Sequence, residues 1–124
     1  MVYISQTPSQ NVKMRGPLKI FSGETHKEFA EEICRNLSIG LSPSQTIRFS
    51  NENMMVKLLD NVRESDAFVI QSSCPPVSDR IIETFLFLDA LKNSSAARVT
   101  AVLPYFPYVR SDKRISPEFL SRQN

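Results

Sequence analysis

Residues 66–103 read DAFVIQSSCPPVSDRIIETFLFLDALKNSSAARVTAVL. The stretch opens on a continuous apolar run, DAFVIQS at 66–72, and closes on another, ARVTAVL at 97–103. Unbroken apolar runs of this length, bounded by turn residues, predict strands covered on both faces. Cys74-Pro75-Pro76 stops the first run. Ser78 is the expected N-cap of a helix running to about Lys92. That helix carries Ile81, Ile82, Phe85, Leu86, Phe87, Leu88 and Leu91 on more than one stripe. It should therefore be buried on two sides, by a sheet and by something else. Strand, long helix, strand is a βαβ unit and predicts parallel pairing.

Toward the N-terminus, LKIFS at 18–22 is a further short strand, broken by Gly23. Thr25-His26-Lys27-Glu28 has the T-x-x-E spacing of a capping box, so a helix should follow to about Leu37. Phe29, Ile33 and Leu37 recur every four residues, with Ala30 and Cys34 beside them. Ser42-Pro43-Ser44 is loop, and residues 46–49 and 55–59 predict two strands of a hairpin around Ser50-Asn51-Glu52-Asn53. Before all of these, residues 1–13 are polar and without periodicity and read as a flexible tail. They lack the charged start and apolar block of a secretory signal, and Met14 offers an alternative start.

Toward the C-terminus, Pro104-Tyr105-Phe106-Pro107-Tyr108 predicts a rigid aromatic turn, followed by a basic loop. The alternation of strands and helices predicts an α/β fold, a three-layer, mainly parallel sheet domain with a β-hairpin. The chain stops in the middle of what should be another βα unit, so the expected domain is truncated.

Composition is consistent with this. The 124 residues are 41% hydrophobic and 23% charged, enough for one packed domain and too ordered for wholesale disorder. A net charge of +2 gives no concentrated basic face for nucleic acid. No apolar run is long enough to span a membrane. Cys34 and Cys74 read as reduced thiols, and with His26 the only histidine no zinc site is expected.

Ligands of open parallel sheets bind at the carboxyl ends of the strands. Three loops leave such ends: 23–25, 72–76 and 104–114. In the last, Arg110, Lys113 and Arg114 surround Asp112, a cluster suited to phosphate groups as well as to a solvated loop. Phe49, between Arg48 and Asn51, could stack a purine or fill core. Neither a P-loop nor a G-x-G-x-x-G occurs. A single histidine in a helix cap leaves no Ser/His/Asp or Cys/His arrangement.

Phe21-Ser22-Gly23, Arg48-Phe49-Ser50-Asn51, Asn61-Val62-Arg63, residues 69–76 (VIQSSCPP), Asp89-Ala90-Leu91 and residues 98–114 (RVTAVLPYFPYVRSDKR) follow in order. Together they resemble the N-terminal domain of ribose-phosphate diphosphokinase, also called phosphoribosyl pyrophosphate synthetase. The resemblance divides the chain into a tail at 1–14 and the family's N-terminal domain at 15–124. It implies phosphoribosyltransferase-type architecture and transfer of pyrophosphate from Mg-ATP to ribose 5-phosphate, with Mg²⁺ accompanying the nucleotide. It further implies that Phe49, Asn51 and Asn53 hold adenine and that Arg110, Ser111, Lys113 and Arg114 form the ATP-phosphate loop. Arg63 and Arg98 match positions of a regulatory phosphate site between subunits. Asn53 stands where the family usually has a carboxylate, and Ser111 where it usually has Gln.

The family's later histidine motif, catalytic basic loop and ribose-phosphate loop are absent, so no catalytic residue is expected within these 124 residues and the chain alone should be inactive. The expected partners are ATP, ribose 5-phosphate and related subunits of a homo- or hetero-oligomer, in the cytoplasm, with neither nucleic acid nor membrane. Two alternatives stand beside this: a non-catalytic paralogue that regulates full-length subunits, and a stand-alone nucleotide-binding domain.

Overall fold

The computed structural model describes residues 16–72 and 74–104, together with the backbone of residues 2–6. Among the described residues eight elements follow in order: β1 (Val2–Gln6), β2 (Leu18–Ser22), α1 (Lys27–Asn36), β3 (Ser44–Arg48), β4 (Met54–Leu58), β5 (Asp66–Ile70), α2 (Val77–Asn93) and β6 (Arg98–Leu103). One sheet has the order β1-β6-β5-β2, and β3 and β4 form a separate antiparallel ribbon. β2, β5 and β6 run parallel, as the apolar runs predicted. β1 joins antiparallel to β6. The segment read as a tail therefore holds a strand, and the sheet is mixed rather than wholly parallel.

Pleating explains why the apolar runs are continuous. On β2, Ile20 faces α1 and Phe21 faces α2; on β5, Ile70 faces α1 while Ala67 and Val69 face α2. The α2 side closes around Phe87 and Leu91, with Phe21 and Phe87 ring centroids 6.2 Å apart. The α1 side is thinner: Ala30 and Cys34 are buried, while Phe29 and Leu37 of the expected stripe stand exposed. The hairpin packs Val56 and Leu58 against the α2 side. It supplies the second cover expected for α2, but leaves Ile82 and Phe85 in solvent, 50% and 60% exposed. Among the described residues no helix is long and apolar enough to cross a membrane.

Helix ends differ from the sequence reading. The N-cap of α1 is His26 in left-handed conformation (φ 50°), with no side-chain cap, so the Thr25–Glu28 capping box does not form. The Thr25 hydroxyl instead lies within hydrogen-bond reach of Gln71 Oε1 and Ser72 O. The N-cap of α2 is Pro76, not Ser78. Both helices stop in Schellman turns. Ile39 N–H donates to Cys34 O and Ser38 N–H to Arg35 O; Ala96 N–H donates to Leu91 O and Ser95 N–H to Lys92 O. Glycine normally takes the left-handed position of this turn, yet here it falls to Ser38 (φ 57°) and Ser95 (φ 65°).

Candidate functional site

The three parallel strands finish in register, with Gly23 N–H donating to Ile70 O (3.0 Å) and Gln71 N–H to Val102 O (3.1 Å). Two of the loops expected to carry ligands thus meet at one sheet edge. Gln71, 1% exposed, ties them together. Its side chain sits so close to Gly23 that a Cβ there would lie 2.0 Å from Gln71 Oε1. Any larger residue would push the amide out of place.

Below this edge lies Glu83, a fully buried carboxyl on α2. Its Oε1 accepts from Gln71 Nε2, from Glu24 N–H (3.2 Å) and from Arg80 Nη1 (3.4 Å), and its Oε2 accepts from the Thr46 hydroxyl of β3. The network continues outward. Arg80 Nη1 donates to Glu24 Oε2 (3.0 Å), Arg48 Nη2 to the same oxygen (2.8 Å), and Arg48 Nη1 to Asp79 Oδ2 (3.0 Å). Burial would raise the Glu24 carboxyl, but the hydrogen bonds and charge of Arg48 and Arg80 outweigh it and hold it below the usual carboxylate range. Arg80 Nε is buried and without a partner among the described residues. These residues join β3, the loop after β2, and α2, so they set the pose of the hairpin on the domain.

The hairpin tip is a tight turn. Phe49 N–H donates to Asn53 O (2.8 Å) and Glu52 N–H to Phe49 O (3.0 Å), with Glu52 left-handed at φ 67°. Asn51 Oδ1 folds back to accept from Asn53 N–H (3.3 Å), an Asx-type contact. Phe49, 48% exposed, and Asn53 line a groove of about 750 Å³ together with Arg48, Glu52, Asp79 and Ile82. Of the expected adenine set, Phe49 and Asn53 share this groove, while Asn51 is engaged in its own turn.

At the opposite, amino-terminal end of the sheet, Asp66 of β5 pairs in register with Arg98 of β6. Arg98 Nε donates to Asp66 Oδ1 (3.0 Å) and Nη2 to Oδ2 (2.7 Å), a bidentate fork that raises the guanidinium pKa. Arg63 is exposed in the preceding loop, its backbone N–H donating to Asn61 Oδ1 (3.1 Å). The two arginines expected at a regulatory phosphate thus sit toward one end, with Arg98 already bound to a carboxylate. Arg110, Ser111, Lys113 and Arg114 lie outside the described residues.

Sequence reasoning missed the ion network, because its partners lie far apart in the chain. One signal was present: Glu83 is a charge inside the apolar run of α2. One further proximity was not foreseen. The left-handed turn at His26 carries its ring across to the loop after β5, where it meets Ser72 and Cys74.

Residues 18–121 match the family model described as the N-terminal domain of ribose phosphate pyrophosphokinase. The ribose-phosphate pyrophosphokinase of Deinococcus radiodurans is 48% identical over 103 residues, covering 83% of this chain and 32% of that protein. That of Wolinella succinogenes is 42% identical over 104 residues, covering 84% and 33%. Among solved structures, phosphoribosylpyrophosphate synthetase from Mycobacterium smegmatis superposes with a TM-score of 0.75 at 36% identity, covering 80% of this chain and 33% of that one. The chain thus spans about a third of the length of the curated relatives it matches. On the family match and these identities, the chain belongs to the ribose-phosphate pyrophosphokinase family and carries that family's N-terminal domain.

Proposed function

We propose that this chain is the ATP-facing N-terminal domain of a ribose-phosphate diphosphokinase. The complete reaction moves the β,γ-pyrophosphoryl group of Mg-ATP to the anomeric hydroxyl of ribose 5-phosphate. It yields 5-phosphoribosyl 1-diphosphate for nucleotide biosynthesis. The observation that carries the reading is the family match over residues 18–121. The half-exposed Phe49 ring beside Asn53 in an open groove supports a stacking role toward adenine. Asn51 contributes by shaping the turn that presents them. Arg110, Ser111, Lys113 and Arg114 are the proposed contacts to the ATP phosphates. Arg63 and Arg98 are the proposed regulatory phosphate contacts, Arg98 sharing its guanidinium with Asp66.

Pyrophosphoryl transfer asks little covalent work of a protein. It rests on in-line positioning and on cations that neutralise the phosphates. Magnesium enters as part of the substrate, Mg-ATP. The chain alone is expected to make no product, acting with related subunits in the cytoplasm.

The test joins this chain to the part of the D. radiodurans relative that lies beyond the matched region. The chimera should form 5-phosphoribosyl 1-diphosphate from ribose 5-phosphate and Mg-ATP. Phe49→Ala in it should raise KM for ATP about tenfold, since stacking one base on an aromatic ring contributes ~1–3 kcal/mol. A folded chimera without turnover overturns the reading.

A further inference from the structure

Arg48 ends β3 and stands directly before Phe49, and both line the groove at the hairpin tip. An exposed guanidinium beside a nucleotide groove invites reading as a phosphate contact. Its two terminal nitrogens are already engaged. Nη2 donates to Glu24 Oε2 (2.8 Å) in the loop after β2, and Nη1 to Asp79 Oδ2 (3.0 Å) in the first turn of α2. One fork therefore ties the end of the strand to two elements of the domain. The Glu24 end is itself fixed. Its Oε2 also accepts from Arg80 Nη1 (3.0 Å), and its backbone N–H donates to the fully buried Glu83 carboxyl (3.2 Å). A single half-exposed ion pair holds little, but a planar fork joined to a network with a buried member holds an orientation.

Phe49 has little support of its own. The ring is 48% exposed, so packing does little to place it. Its position follows from the backbone on either side: Phe49 N–H donates to Asn53 O (2.8 Å) across the turn, and the anchored Arg48 precedes it. We propose that Arg48 is a positioning residue for the nucleotide base, acting through Phe49 and not by touching ATP. The inference rests on the reading of Phe49 as the surface on which adenine stacks. With Arg48 held by Glu24 and Asp79, the ring is presented in one pose before ATP arrives, which lowers the ordering cost of binding. Lysine at this position keeps the charge but not the planar fork, so the tip of the hairpin loses its fixed pose.

The experiment places Arg48→Lys, Phe49→Ala and the double variant in the chimera described above. Arg48→Lys should raise KM for ATP about threefold to fivefold, the scale of an exposed ion pair, with kcat and KM for ribose 5-phosphate within about twofold of wild type. In the double variant KM for ATP should equal that of Phe49→Ala alone, because a residue that acts only through the ring has nothing left to position. A further rise in that background means that the guanidinium contacts the nucleotide itself and overturns the proposal, as does an unchanged KM in Arg48→Lys. Hydrogen exchange on the 124-residue chain keeps the anchor apart from the functional reading. The Phe49 amide should exchange faster in Arg48→Lys while the amides of β5 keep their wild-type rates, and an unchanged Phe49 rate overturns the anchor. Faster Phe49 exchange together with a folded chimera that makes no product overturns the functional reading, and the positioning role falls with it.

Discussion

Removing the Glu83 carboxyl should unlatch the hairpin from the domain. In Glu83→Ala four donors lose an acceptor: Gln71 Nε2, Glu24 N–H, Arg80 Nη1 and the Thr46 hydroxyl. Two keep an alternative, since Gln71 Nε2 also reaches Arg80 O (3.4 Å) and Arg80 Nη1 reaches Glu24 Oε2 (3.0 Å). Thr46 and the Glu24 N–H do not. A buried donor left without an acceptor costs about 1–3 kcal/mol. Two of them, part-buried, give roughly 2–4 kcal/mol, a large share of a domain stability of ~5–15 kcal/mol. At ~4–8 °C per kcal/mol, the melting temperature should fall by about 8–30 °C. Glu83→Gln keeps one acceptor oxygen, and the Thr46 hydroxyl can turn to accept from the new amide. It should cost only about 1–2 kcal/mol. Urea titration by circular dichroism measures both, and hydrogen exchange reads the amides of β3 and β4, which should exchange faster in Glu83→Ala. An alanine variant within 1 kcal/mol of wild type, or with hairpin exchange unchanged, would refute the reasoning.

Phe87→Ala opens the α2 side of the core, where Phe87 is fully buried against Phe21, and should cost about 3–5 kcal/mol in the same titration. Ser38→Gly and Ser95→Gly relieve left-handed serines at the two helix ends, so each should raise stability by ~0.5–1 kcal/mol, and a loss would count against the strain argument. Acid should weaken the fold through Asp60, whose carboxyl the Lys19 hydrogen bond holds below its usual range, and through Glu24. A carboxylate with lowered folded pKa contributes stability in full above its unfolded value of ~4 and loses it as pH falls through the folded value. Melting temperature should therefore drop below about pH 4, and the drop should be shallower in the double variant Glu24→Gln, Asp60→Asn; an equal slope sinks the assignment. ATP binding by the chain alone should be weak, about millimolar to high-micromolar, and abolished in the double variant Arg110→Glu, Lys113→Glu, with calorimetry showing otherwise if the loop is only a solvated charge run.

The βαβ unit was legible because burial on both sheet faces removes polar alternation from β5 and β6, and their short length and bounding turn residues separate them from a buried helix. β2 was legible for the same reason, its Ile20 and Phe21 feeding opposite layers. β1 was not, since five residues of mixed polarity acquire their strand only by pairing with β6. The capping box failed through competition: Gln71 and Ser72 offer Thr25 oxygen atoms that local sequence cannot see. At the site, the hairpin turn around Ser50-Asn51-Glu52-Asn53 followed from adjacent residues, whereas the exposure of Phe49 and the Asx contact of Asn51 did not. The contacts of Arg48 to Glu24 and Asp79, and of His26 to Cys74, span separations of 24, 31 and 48 residues, beyond the reach of any periodicity.

The pairing of β1 with β6 sets a timetable for the nascent chain. Val2 faces Leu103 and Gln6 faces Val99, so among the described residues the first strand has its partner in the last. Synthesis at ~5–20 residues per second puts on the order of 5–20 s between them. Throughout that interval β2, the hairpin, β5 and α2 can assemble as each leaves the ribosome, because their partners are closer in sequence. β1 cannot, and the sheet's outer strand is laid down only after translation has passed its far end.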